Sequence, residues 1–153
     1  MDSRPAKGPP GNGKTHLAGA VVRAVFEAGG FAVFANVPRL MVRFERTYRP
    51  GAKEHETDLL RALIECDLLV LDDIGAEKWT AKREERLYLI VNSRLDDFRP
   101  LVCTTNCPDL EILGEHTGDR VLDRLVGDCL LVENKAPSYR VELARRRLKG
   151  GAA

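Results

Sequence analysis

Hydrophobic residues near the start of the chain recur at helical spacing and predict an amphipathic helix. The residues that follow the i, i+3, i+4 pattern are Leu17, Ala18, Val21, Val22, Val25 and Phe26. A stripe of this kind places one face of a helix against a core. The pair Gly29-Gly30 ends the pattern, because glycine disfavours helix interiors and marks helix ends. We therefore expect a helix that stops at these glycines.

Short apolar runs alternate with further helical patterns along the rest of the chain. The runs that predict strands cover residues 31–35, 68–71, 101–104 and 130–133. The patterns that predict helices cover residues 39–48, 59–64, 80–95 and 138–148, with Asn36 as a candidate N-cap of the first. Strands that are apolar on both faces and alternate with helices are typical of a parallel sheet. The predicted fold class is therefore α/β, with a parallel sheet flanked by helices on both faces.

The segment Gly8–Thr15, which precedes the first helix, fits the pattern G-x-x-x-x-G-K-[ST] of phosphate-binding loops. Its glycines let the backbone curl so that N–H groups point at phosphate oxygens, and Lys14 supplies positive charge at the β/γ end. Thr15 is a candidate ligand of Mg²⁺, and the helix N-terminus adds partial positive charge. The alternative is a glycine- and proline-rich surface turn, which does not account for the helix that follows.

Two carboxylates follow the apolar run 68–71 and predict the metal side of the same site. Magnesium keeps several waters and takes one or two carboxylates together with phosphate oxygens, and Asp72 is the candidate for that role. Asp73 is placed one position further, where a carboxylate can polarise the attacking water as general base. The alternative is a solvated Asp-Asp turn before Gly75. The position of the pair after a phosphate loop favours the functional interpretation.

The apolar run 101–104 leads into Thr104-Thr105-Asn106. Because the carboxyl ends of parallel strands meet at one edge of a sheet, we expect the Asn106 amide beside the end of the strand that carries Asp72. An amide at that place can orient the lytic water or contact the γ-phosphate. Taken alone, the same residues would indicate a turn.

Three arginines are candidates for contact with the outer phosphates. Arg120 and Arg124 stand four positions apart, so a helix presents both on one face. Guanidinium groups on a packed helix suit recognition of the γ-phosphate, including that of a neighbouring subunit. Pairing with Asp119 or Asp123 is the equal alternative. Arg140 opens the last helix, where a cation is electrostatically unfavourable, and that position favours a ligand role.

Composition narrows the class of protein. The 153 residues carry 24 Lys and Arg against 23 Asp and Glu, so the net charge gives no sign of a nucleic-acid or membrane partner. A local patch of basic residues is compatible with this balance. This length fits one domain. The four cysteines lack metal-site spacing and are expected to be free thiols in a reducing cytosol. Apolar stretches fall short of the ~20 residues that span a bilayer, so we expect no membrane partner and a cytoplasmic protein.

Taken together, the motifs resemble the AAA+ ATPase domain of bacterial helicase loaders of the DnaC/DnaI type, with the IstB transposition helper ATPases as near relatives. The segments that carry the resemblance are Gly8–Thr15, Leu68–Gly75, Thr104–Asn106, Gly118–Leu125 and Ser138–Arg140. It covers nearly the whole chain and implies one AAA+ P-loop NTPase domain over residues 1–153. Gly75-Ala76-Glu77 and Gly118-Asp119-Arg120 favour the loaders over the transposition helpers.

The resemblance also implies roles for individual residues. The residues it places against ATP are Gly8, Pro9, Pro10, Gly11, Asn12, Gly13, Lys14, Thr15, His16, Arg120 and Arg140. It implies Mg²⁺ at Thr15 and Asp72, and catalysis by Asp73, Asn106 and the arginine finger Arg124. The implied partners are a replicative DNA helicase or a transposase, single-stranded or duplex DNA, and further copies of the chain in a nucleotide-dependent homo-oligomer.

Two departures from the family pattern leave other hypotheses open. The apolar strand expected directly before Gly8 is missing, because Met1–Lys7 is polar and Pro5 cannot donate to a sheet ladder, so we expect a truncated first core strand. The resemblance also implies an N-terminal helicase-docking domain, which we expect this chain to lack. We expect an ATP-binding and hydrolysing domain of a replicative helicase loader. The alternatives are an IstB-like ATPase that assists transposition and a truncated fragment with weak or no ATPase activity.

Overall fold

A computed structural model of the protein describes the backbone of residues 11–150 and the side chains of residues 11–148. In chain order its elements are α1 (Lys14–Glu27), β1 (Ala32–Asn36), α2 (Val37–Arg46), α3 (Glu56–Glu65), β2 (Leu68–Ile74), α4 (Ala81–Asp96), β3 (Leu101–Thr105), α5 (Leu110–Thr117), α6 (Asp119–Asp128) and α7 (Tyr139–Gly150). One or two helices separate each strand from the next, as the hydrophobic pattern predicts. Asn36 caps α2 as expected, because its side chain accepts a hydrogen bond from the N–H of Arg39.

The three strands form a parallel sheet in the order β1-β2-β3. Asn36 at the end of β1 pairs with Asp72 of β2, and Leu71 of β2 pairs with Cys103 of β3. The register between β2 and β3 shifts after Leu71 and resumes at Ile74. The carboxyl ends of the strands therefore meet at one edge of the sheet, and the irregular part of the ladder contains the Asp72-Asp73 pair.

Residues of β2 alternate between two apolar cores, one on each face of the sheet. Leu68 and Val70 pack with Ala18 of α1 on one face. Leu69 and Leu71 pack on the opposite face, where α2, α3 and α4 supply much of the core. Burial of one leucine side chain contributes roughly 1.5–3 kcal/mol. Packing on both faces thus fixes the strand whose end carries Asp72.

Arg94 of α4 is fully buried and ties three elements together. Its guanidinium donates to the backbone carbonyls of Leu63 at 2.9 Å, Ile64 at 2.8 Å, Cys66 at 2.9 Å and Pro100 at 2.6 Å. Burial lowers the pKa of Arg94, and the partial negative charge at the C-terminus of α3 favours the cation. Arg94 therefore fixes the end of α3 and the turn into β3 relative to α4.

The strand predicted at residues 130–133 is wrong. This segment has no regular secondary structure, and it lines a cavity of about 670 Å³ together with β3 and with Leu17 and Val21 of α1. A strand needs a hydrogen-bonding neighbour about 4.8 Å away. Within residues 11–150, β3 has such a neighbour only in β2. The apolar residues of this segment therefore face a cavity instead of joining the sheet.

Other boundaries differ from the predictions by a few residues. Strand β2 continues through the two aspartates to Ile74, and α2 ends at Arg46 instead of residue 48. The glycine and prolines of Gly8–Pro10 and the expected first strand before them lie outside the described residues. Among the described helices, none combines the length and the apolar character needed to cross a bilayer.

Candidate functional site

The described part of the glycine-rich loop leads directly into α1. Gly11 and Gly13 have φ values of 88° and 91°, a left-handed conformation that glycine adopts without steric cost. The N-cap of α1 is Gly13, which has no side chain with which to satisfy the first N–H groups of the helix. These N–H groups and the helix dipole make this end of α1 suited to an anion. Thr15 and His16 follow in the first turn and are exposed.

The first turn of α1 contacts the end of β2 through Thr15 and Asp72. The Thr15 hydroxyl donates to Asp72 Oδ1 at 3.0 Å, although 57 residues separate the two along the chain. Asp72 is buried, whereas the Thr15 side chain is open to solvent. The structure thus brings together the two residues that the sequence predicts as Mg²⁺ ligands.

Thr104 of β3 holds the same carboxylate from the other side. Its hydroxyl donates to Asp72 Oδ1 at 2.7 Å and accepts a hydrogen bond from the N–H of Asp73 at 3.0 Å. Sequence reasoning did not assign Thr104 a role of its own. The parallel register could have found it, because Cys103 pairs with Leu71 and the next residues along the two strands are Thr104 and Asp72.

Asp73 lies beside Asn106, as the strand-end argument predicts. The amide of Asn106 donates to Asp73 Oδ1 at 2.8 Å. Asp73 adopts a φ of 63°, which is uncommon for a residue with a side chain and costs on the order of 1–3 kcal/mol. Backbone strain of this kind persists where the surrounding structure holds it. Here the hydrogen bonds from Asn106 and to Thr104 hold Asp73 at the end of the strand.

Lys14 is largely buried at the start of α1. Its ammonium donates to Asn12 Oδ1 at 3.0 Å. Burial lowers the pKa of Lys14, and the charges of Asp73 and Asp72 oppose that effect. The lysine therefore lies within the electrostatic reach of both carboxylates, on the side of the site where the loop meets the strand ends.

The arginines of α6 contact residues of α4. Arg124 forms ion pairs with Asp96 of α4 and, at 3.1 Å, with Asp128 one turn further along α6. Arg120 lies over the ring of Tyr88, 3.8 Å from its centroid. Arg124 thus pairs with Asp96 and Asp128 instead of the predicted alternatives Asp119 and Asp123. Its role as an arginine finger stays a prediction, because that role requires a second subunit.

Arg140 occupies the first turn of α7, close to the glycine-rich loop. The N–H of Tyr139 donates to the carbonyl of Gly11 at 2.9 Å. Ser138 precedes α7 and accepts a long hydrogen bond of 3.5 Å from the N–H of Val141, which is the contact of an N-cap residue. The structure thus places Arg140 next to the loop, as a phosphate contact requires.

The donor set at Thr15 and Asp72 fits Mg²⁺. Both groups offer oxygen, and their oxygens already lie 3.0 Å apart. Magnesium prefers oxygen ligands and binds through one or two carboxylates plus phosphate oxygens and water. Thr15 and Asp72 would hold the ion, which would neutralise charge on the phosphates when bound.

A family profile described as IstB-like ATP binding protein matches residues 6–147. This match covers more than half of the chain. The protein belongs to the IstB-like ATP-binding family. The recognition made from the motifs is thereby confirmed, as is the predicted P-loop NTPase fold of the AAA+ type.

Two curated relatives and one solved structure illustrate the family. The replicative helicase loader DnaC of Escherichia coli K12 is 33% identical over 134 residues, which cover 87% of this chain and 54% of the relative. A protein of Mycobacterium tuberculosis, named for ATP binding and for its insertion sequence, is 30% identical over 142 residues, with 87% and 53% covered. A crystal structure of the DnaC helicase loader superposes with a TM-score of 0.71 at 25% identity, covering 88% of this chain and 79% of that one.

The chain spans about half the length of the curated relatives that it matches. The family profile, over residues 6–147, contains the loop, the strand ends and the arginine helix described above. Membership of an ATP-binding family therefore rests on the region that carries the candidate site. The family match does not extend the activities and partners of the longer relatives to this chain.

Proposed function

We propose that this chain binds and hydrolyses Mg·ATP as the ATPase domain of a bacterial helicase loader. The observation that carries the proposal is the hydrogen bond between Thr15 and Asp72. It joins a glycine-rich loop at a helix N-terminus to a buried carboxylate at a strand end, which is the arrangement needed to hold a triphosphate and its metal ion. Membership of the ATP-binding family supports the same reading.

In this proposal the residues of the site divide into binding and catalysis. Lys14 and the N–H groups of the loop bind the phosphates, while Thr15 and Asp72 hold Mg²⁺. Asp73 accepts a proton from the attacking water, and Asn106 keeps the carboxylate of Asp73 in position through the 2.8 Å hydrogen bond. Arg124 acts on the γ-phosphate of an adjacent copy, where a guanidinium stabilises charge that develops in the transition state.

The loader assignment and the transposition assignment share this chemistry and differ in the partner. The Gly75-Ala76-Glu77 segment and the similarity to DnaC support the loader. The family profile and the insertion-sequence relative support a transposition helper. ATP-dependent co-sedimentation with a purified replicative helicase supports the loader. ATPase stimulation by duplex DNA in the absence of any helicase supports the helper.

Replacement of Lys14 tests the nucleotide site itself. We expect Lys14→Ala to abolish binding of a fluorescent ATP analogue in the presence of Mg²⁺, because the ammonium supplies the positive charge that attracts the phosphates to the loop. Lys53→Ala, at an exposed position in the loop after α2, is the matched control and should bind like the unchanged protein. ATP affinity retained in Lys14→Ala argues against the site. A wild-type chain that folds and binds no Mg·ATP would support the truncated-fragment alternative.

A further inference from the structure

The glycine-rich loop is fastened to a distant segment by a reciprocal pair of hydrogen bonds. The side-chain amide of Asn12 donates to the backbone carbonyl of Asn134 at 2.8 Å, across 122 residues of sequence. The side-chain amide of Asn134 in turn donates to the backbone carbonyl of Asn12 at 3.1 Å. Asn12 is only 7% exposed, and hydrogen bonds shielded from water are electrostatically stronger than exposed ones. We call this pair the Asn12–Asn134 clasp.

Two further contacts extend the clasp toward α7. The N–H of Tyr139 donates to the carbonyl of Gly11 at 2.9 Å. A Cβ atom on Gly11 would lie 2.4 Å from Ser138 Oγ and 3.5 Å from the side-chain carbons of Arg140. Gly11 thus has a left-handed φ and also leaves room for the segment that carries Arg140. The loop therefore meets this segment at Asn134 and again at Ser138–Arg140.

Helix α7 has little other support. Of its side chains from residue 139 to 148, only Leu143 is half-buried, and the others are exposed. Most helical stability in proteins comes from packing of an apolar face against a core. With so little packing, the hydrogen bonds at the start of α7 decide where its first turn lies. The Tyr139–Gly11 hydrogen bond therefore sets the position of Arg140, and the clasp holds the segment that leads into it.

Asn12 also contacts the lysine of the nucleotide site. Its Oδ1 accepts the hydrogen bond from Lys14 Nζ at 3.0 Å, while its amide nitrogen contacts Asn134. One side chain thus links Lys14 to the segment that carries Arg140. We propose that Asn134 is a positioning residue of the nucleotide site, which acts through the clasp to hold Arg140 against the phosphate loop. The inference rests on the proposed function, because Asn134 can affect nucleotide affinity only if the site binds Mg·ATP.

Amide exchange in the nucleotide-free protein tests the clasp without reference to ATP. We expect Asn134→Ala to accelerate exchange of the Tyr139 N–H at least about five-fold, because it removes the hydrogen bond to Asn12 and also the one that Asn134 Oδ1 accepts from the N–H of Ala136 at 3.0 Å. Lys135→Ala, at the neighbouring exposed position, leaves the clasp intact and should exchange at the wild-type rate. Equal exchange rates in Asn134→Ala and the wild type would overturn the proposal. Asn134→Ser, whose side chain is too short to reach Asn12, repeats the test if the alanine variant misfolds.

A double-mutant cycle tests whether Asn134 acts through Arg140. The dissociation constant for a fluorescent ATP analogue with Mg²⁺ is measured for the wild type, Asn134→Ala, Arg140→Ala and the double variant. We expect Asn134→Ala to weaken binding about five-fold in the wild type and less than about two-fold when Arg140 is already alanine. A merely structural role predicts additive losses, and additivity would overturn the proposal.

The two experiments separate failure of the inference from failure of the proposed function. A wild-type protein that binds no Mg·ATP refutes the proposed function and with it the role of Asn134. Wild-type binding together with additive losses refutes the inference alone. Accelerated exchange at Tyr139 with non-additive losses supports both.

Discussion

Thr104 and Thr105 are neighbouring threonines on β3 that allow the hold on Asp72 to be tested against a matched control. Each is 8% exposed, and each hydroxyl donates one hydrogen bond and accepts another. Thr104 contacts Asp72 Oδ1 and the N–H of Asp73. Thr105 instead contacts the carbonyl of Ile74 at 2.8 Å and the N–H of Cys107 at 3.1 Å. Valine removes the hydroxyl in both cases and keeps the branched shape.

The two substitutions should cost similar stability but differ in metal affinity. Thr104→Val loses a hydrogen bond to a carboxylate and leaves a backbone N–H unpaired, a cost of about 3 kcal/mol. Thr105→Val loses a neutral hydrogen bond to the Ile74 carbonyl and likewise leaves a backbone N–H unpaired, that of Cys107, a cost of about 2 kcal/mol. A domain stable by roughly 5–15 kcal/mol survives either change. Only Thr104→Val takes a hydrogen bond away from the carboxylate of Asp72, and loss of a partner that orients a metal ligand typically weakens metal binding about 10–100-fold.

Urea denaturation followed by circular dichroism measures the first effect, and a Mg²⁺ titration in the presence of a fluorescent ATP analogue measures the second. We expect Thr104→Val to need at least about ten-fold more Mg²⁺ for half-maximal binding, while Thr105→Val stays within about two-fold of the wild type. Thr104→Ser, which keeps the hydroxyl, should restore most of the affinity. Equal Mg²⁺ dependence in the two valine variants would falsify the role given to Thr104.

Three further predictions concern other charged groups. Mg·ATP affinity should fall as the pH rises through the pKa of Lys14, which burial lowers from 10.5, because phosphates bind the ammonium form. Calorimetry in two buffers, at a series of pH values below 10.5, should then show proton uptake on binding, and Lys14→Arg, which stays charged, should show none. Arg94→Met should lower the free energy of unfolding by about 3 kcal/mol, since it leaves the carbonyls of α3 and Pro100 without their donor, and an unchanged urea midpoint would contradict this. Arg124→Ala should leave ATP affinity unchanged but reduce turnover about 10³-fold at concentrations where copies assemble; unchanged turnover rules out a finger in trans.

The central contact of the site could be predicted because two simple rules meet there. The loop motif fixes Thr15 at a helix N-terminus, and a parallel sheet puts the end of every strand at the same edge. Asp72 and Asn106 follow from the second rule alone. Arg94 could also have been found, because it follows Ile90 and Val91 at the spacing of the buried face of α4. Its charge argues against burial when the sequence is considered alone, because a core-facing arginine needs hydrogen-bond acceptors. Only the folded backbone supplies them.

The structure of residues 129–138 could not be predicted from the sequence in this way. Their apolar members suggested a strand, but a strand is defined by its neighbour, and the pattern of one segment carries no information about whether a neighbour is in reach. Asn134 gave no signal of any kind, because a single asparagine between helices is usual in turns. Its importance comes from the path of an irregular segment, which brings it to Asn12 and leaves Arg140 at the loop.

Asp72 and Asp73 differ in their contacts, and that difference accounts for the roles proposed for them. Asp72 accepts hydrogen bonds from two hydroxyls, Thr15 and Thr104, so its carboxylate is buried, oriented and shared between α1 and β3. A group fixed in this way suits an ion that demands near-ideal geometry. Asp73 is half-buried, is held by the amide of Asn106 and adopts a strained backbone conformation. Access to water is what a general base requires, so the neighbour with fewer hydroxyl contacts is the one suited to catalysis.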